Sequence, residues 1–67
     1  MKTGYMLNMR TIEGEWCGYY RCDELPEIGA VLNTSPSFRV IGIGKFDRKI
    51  DEVDIVREMW HVTVVYV

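Results

Sequence analysis

The amino-acid sequence predicts an all-β, mainly antiparallel domain of about five strands, arranged as a small barrel or a strongly bent sheet. Three observations lead there. Apolar and polar residues alternate, most clearly where Trp60, Val62, Val64 and Tyr66 interleave with His61, Thr63, Val65 and Val67. Turn-forming residues interrupt the chain at short intervals, at Glu13-Gly14, Pro26, Gly29 and Thr34-Ser35-Pro36. No stretch carries the period of a long helix, and short strands with one apolar side bury it best by closing a sheet on itself. With 67 residues, we expect a single domain over 1–67. A chain of this length buries only about 60% of its unfolded surface, so self-association is an expectation from size alone.

Each element has its own justification. Two β-prone runs around Glu13 and Gly14 read as a hairpin with a two-residue loop, pairing Ile12 with Glu15, Thr11 with Trp16, Met9 with Gly18, Leu7 with Tyr20 and Tyr5 with Cys22. That register gathers Tyr5, Leu7, Met9, Trp16 and Tyr20 on one face. It leaves Met6, Asn8, Arg10, Ile12, Glu15, Cys17, Tyr19 and Arg21 on the other. After a polar link at 23–27, residues 28–32 resume an extended run and 33–37 form a turn. Residues 38–46 are the fourth strand, with Phe38, Val40 and Phe46 on one parity and Arg39, Ile41, Ile43 and Lys45 on the other. Gly42 and Gly44 lie with Phe38, where they leave room for Trp60 or Trp16 or permit a sharp bend. Between 47 and 58, Ile50, Val53 and Val56 are spaced for a helix while Val53 to Ile55 also alternate as a strand. We expect a charged loop with one short helical turn. The last strand starts at Trp60.

These residues resemble the small SH3-like barrel proteins that phages and bacteria encode. The resemblance rests on Leu25, Pro26, Gly29 and Leu32 leading through a turn to Phe38, Arg39, Val40 and Ile43, followed by the Val-rich run 62–67. It covers roughly half the chain. What it implies is an architecture rather than an activity. Ala30 and the acidic stretch 47–58 depart from the pattern.

The chemistry legible in the residues is sparse. A formal charge of -2 and a pI near 5.2 argue against a protein that neutralises many phosphates, while leaving room for a local basic patch. No secretory leader or membrane-length apolar run is present, so a cytoplasmic protein without membrane contact is expected. Cys17 and Cys22 read as reduced thiols. On one regular strand they face opposite ways, and neither a disulfide nor a shared metal tolerates that unless a bulge forms at Gly18. Cys17 and His61 share the non-core parity and make the only nucleophile and base pairing, which we read as an exposed thiol and imidazole. Gly42-Ile43-Gly44-Lys45 is too short for a phosphate loop. No metal site, cofactor or catalytic residue is expected.

The most suggestive cluster is Asn8, Arg10, Tyr19 and Arg21 on one hairpin face, because Tyr and Arg concentrate binding energy at interfaces and also stack on bases. The leading expectation is a non-enzymatic interaction protein that binds a protein partner, in the manner of a phage or mobile-element inhibitor or adaptor. The alternative is binding of a nucleotide, RNA or single-stranded DNA by the same face. Met59, Val65 and Val67, outward on the last strand, are the candidates for a homodimer contact.

Overall fold

The computed structural model describes residues 2–67. Five strands, β1 (Lys2–Arg10), β2 (Trp16–Cys22), β3 (Val31–Leu32), β4 (Phe38–Glu52) and β5 (Ile55–Tyr66), form one sheet in the order β2-β1-β5-β4-β3. The sheet is mixed, because β1 and β5 run parallel at its centre while every other pair is antiparallel. It curls into a half-barrel, an all-β arrangement compatible with an SH3-like fold. The buried cluster shows the curl: Leu7, Met9, Leu32, Phe38, Val40, Val62 and Val64 pack together, joined by Cys17, Tyr20, Cys22, Leu25 and Ile43. Side chains from both ends of the strand order thus converge on one concave side.

The first hairpin shows why strand faces need more than alternation. Gly14 donates to the Thr11 carbonyl at 2.9 Å and Thr11 donates to the Glu15 carbonyl at 2.8 Å. The loop is therefore three residues, Ile12 to Gly14, rather than the expected two, and Gly14 adopts the left-handed φ of 91° that this loop requires. The shorter register pairs Arg10 with Trp16, and a bulge then inserts one residue before Met9 meets Gly18. From Gly18 onward the pairs are the expected ones, down to Tyr5 with Cys22. The residue absorbed is Cys17, next to Gly18 at φ 102°. Trp16 and Cys17 consequently exchange faces: Trp16 leaves the core side and Cys17 joins it.

The stretch 47–58 corrects the expected helical turn. It is a β-hairpin in which β4 continues to Glu52, Val53 and Asp54 make the turn with Asp54 at φ 64°, and β5 begins at Ile55. Bulges in β4 after Val40 and around Lys45 and Asp47 re-aim its side chains. Ile43, expected opposite Phe38, packs on the core, whereas Phe46 is left 43% exposed and edge-on to Trp60. Gly42 faces Thr63. A Cβ on Gly44 would lie 2.9 Å from the His61 carbonyl oxygen, so the glycine permits close backbone approach rather than housing a tryptophan. The third strand is shorter than expected, because Ile28 and Gly29 turn (Gly29 φ 97°) before the Gly29 N–H bonds to the Val40 carbonyl.

Candidate functional site

The convex side of the sheet carries the candidate site, and strand register assembles it row by row. Directly opposed residues share a face. One row runs Arg21, Met6, Met59 and Arg48 across β2, β1, β5 and β4; the next places Tyr19, Asn8 and His61 side by side. Beyond these, Trp16, Arg10, Thr63 and Gly42 align, and then Val65, Arg39 and Val31. Of the residues expected to bind a partner, Asn8, Arg10, Tyr19 and Arg21 do fall together on this face.

Their individual environments differ. Asn8 is 9% exposed, and its Oδ1 accepts the Trp16 indole N–H at 2.9 Å. That bond fixes the orientation of the indole. Trp16 in turn meets Tyr19 edge to face at a centroid separation of 5.3 Å, with the rings 52% and 51% exposed respectively. Arg10 is exposed beside Trp16, oriented by donation from Nη1 to the Gly14 carbonyl at 3.2 Å. Arg21 is occupied, since its Nε donates to Glu52 Oε2 at 2.9 Å while Arg57 donates to the other carboxylate oxygen. The two guanidinium groups, Arg57 first and Arg21 second, hold the Glu52 carboxyl below its ordinary range. Arg57 also crosses Gly4 to reach the carbonyls of Tyr5 and Cys22 at 3.1 and 3.3 Å, tying β5 to β1 and β2.

Trp16 is the candidate residue that alternation alone hides, because the bulge at Cys17 puts it on the outer face. The pair sits at the rim of an open groove of about 460 Å³, whose other walls include Pro36, Phe38 and Tyr66 at the end of the half-barrel. A second groove, about 380 Å³ in volume, lies under the first hairpin turn and is walled by Glu13 and Glu15. Glu15 accepts from the Tyr66 hydroxyl at 3.3 Å, and its charge raises the phenol's pKa.

Cys17 and His61, expected on one parity, lie on opposite faces, so the thiol and the imidazole do not meet. His61 Nε2 is instead 3.2 Å from Asp47 Oδ2. The bulge places Cys17 and Cys22 on the same side of β2, yet they remain about four strand positions, or roughly 13 Å, apart, beyond disulfide reach. Burial pushes the Cys22 thiol pKa up. Among the described residues no three His, Cys, Asp or Glu side chains gather as a metal site would need. Of the candidate dimer residues, Met59 is 3% exposed and engaged within the chain, Val65 is half-buried and Val67 is open. No helix among the described residues is long and apolar enough to cross a membrane. No family model matches the chain, and neither a curated protein nor a solved structure does.

Proposed function

We propose that the protein is a non-enzymatic binding module that holds a macromolecular partner on the outer face of its half-barrel. The observation that carries this reading is the Trp16–Tyr19 pair. Two large aromatic rings stand half-exposed beside Arg10, and Trp16 is fixed by its bond to Asn8. Trp, Tyr and Arg dominate binding energetics, and a ring held in place before binding loses little conformational freedom when a partner arrives. The adjoining groove with Pro36 and Phe38 offers the concave neighbour that such anchors use. A small barrel of this kind, similar to those of phages and bacteria, suits an inhibitor or adaptor that acts by occupying another molecule's surface.

Affinity capture from lysate tests the reading, comparing the wild-type chain with Trp16→Ala and Tyr19→Ala variants of equal far-ultraviolet circular dichroism. A stoichiometric partner retained by the wild type and lost with either variant is expected. Capture indifferent to both substitutions, or no partner under several conditions, overturns it.

A further inference from the structure

The strands bring the arginines to one face of the sheet, which composition conceals. The register places all five arginines of the chain, Arg10, Arg21, Arg39, Arg48 and Arg57, on the outer face, together with Lys2. Two carboxylates are paired with cations there: Glu52, between Arg21 and Arg57, and Asp47, beside His61. The residues so placed, six cations and two anions, sum to +4. The other two lysines and eight carboxylates, most of them in turns and links, sum to -6 and restore the formal net charge of -2.

We infer that the partner held on this face is a single-stranded nucleic acid. The inference rests on the outer-face reading above and adds the chemistry of what is bound. Arg10, Arg39 and Arg48 are exposed and, among the described residues, engage no carboxylate, so their guanidinium groups, Arg10's beyond its bond to the Gly14 carbonyl, can donate to phosphate oxygens. They surround low ground, where Thr63 faces the side-chain-free Gly42. A sugar-phosphate strand can approach the sheet there without displacing a bulky side chain. At the β2 border, Trp16 and Tyr19 present ring surface on which bases stack, and such stacking tolerates any sequence because every base has a π-face. The strand therefore runs over β4 and β5 on Arg39, Arg48 and Arg10 and delivers bases to the aromatic pair. A duplex hides its bases from such a platform, so single strands are preferred. Three guanidinium groups outside the described ion pairs also limit the electrostatic share: a slope of about -0.7 per neutralised phosphate predicts that log K falls by about 2 for each tenfold rise in salt.

Fluorescence anisotropy with labelled oligo-dT and oligo-rU of about 15 nucleotides, and with a duplex of the same length, reads all of this out. Binding of the single strands, weaker binding of the duplex and a log-log salt slope near -2 are expected between about 50 and 200 mM salt. Arg39→Gln and Arg48→Gln each weaken binding and flatten the slope by about 0.7. Trp16→Ala weakens it about tenfold or more and leaves the slope unchanged. That split separates stacking from charge, and circular dichroism verifies that each variant is folded. No oligonucleotide binding at low salt overturns the inference. So does use of the same arginines to hold an acidic protein or the acidic side of a second copy, although either result leaves the outer-face reading standing.

Discussion

At the scale of single residues, two neighbouring glycines do different work. A Cβ on Gly44 would approach the backbone oxygen of His61 to 2.9 Å, and a backbone atom in a paired strand has no easy way to retreat. Gly44→Ala is therefore expected to destabilise the fold by about 1–3 kcal/mol. A Cβ on Gly42 would meet Thr63 at an ordinary 3.7 Å, so Gly42→Ala is expected to stay within about 0.5 kcal/mol of wild type. Urea midpoints of the two variants check the contrast, and equal losses would refute it. Both glycines are visible in the sequence, but their roles depend on where the β4 bulges fall, which no local pattern announces. Glu52 gives a pH-dependent case. Its carboxyl is held low by Arg57 and Arg21, so its stabilising effect is complete above the ordinary glutamate pKa and is lost as pH falls through the depressed native value. Glu52→Gln is expected to be less stable than wild type at neutral pH, with the gap closing in acid. A gap that persists unchanged at low pH would show that the charge is not responsible.

At the scale of elements, the hairpins show what the sequence makes legible and what it conceals. The β1 faces and the β1–β2 register beyond Gly18 follow from simple alternation, because a one-residue slip would expose Leu7 and Met9. The swap of Trp16 and Cys17 does not follow from it. A three-residue loop ending at Gly14 shifts the pairing by one, and the bulge restores it, so the two departures cancel beyond Gly18 and leave Trp16 on the outer face. The β4–β5 hairpin is hidden for another reason. Val53-Asp54 lacks the Asn-Gly chemistry that marks such a turn, while Ile50, Val53 and Val56 imitate a helical stripe. The bulge makes its own prediction. Gly18 sits at φ 102°, and a Cβ added there would meet nothing within 4 Å, so any cost of Gly18→Ala comes from the backbone alone. About 1–2 kcal/mol of destabilisation is expected, read from urea denaturation. A neutral result would mean that the strand tolerates a regular conformation there.

At the scale of the whole molecule, alternation and turn spacing are enough to indicate a small all-β fold with five strands, but not its central parallel pair. β1 and β5 lie at opposite ends of the chain, and pairing between them is fixed by closure of the core rather than by any neighbouring residue. The segregation of arginines onto one face has the same origin: five residues scattered from 10 to 57 meet only when β5 docks between β1 and β4. All of this depends on one small cluster in which Leu7, Val40 and Val64 are the fully buried side chains. Leu7 lies on β1 opposite Tyr20 of β2 and Trp60 of β5, so truncating it weakens both joins at once. Leu7→Ala is expected to cost about 2–5 kcal/mol. A single core in a domain this small supplies about 3–5 kcal/mol of net stability, so the variant should be largely unfolded at room temperature. Circular dichroism should show the strand signal lost and then recovered on adding trimethylamine N-oxide, which favours burial without making a specific contact. A variant that melts cooperatively within a few degrees of wild type would show that the half-barrel does not depend on this cluster.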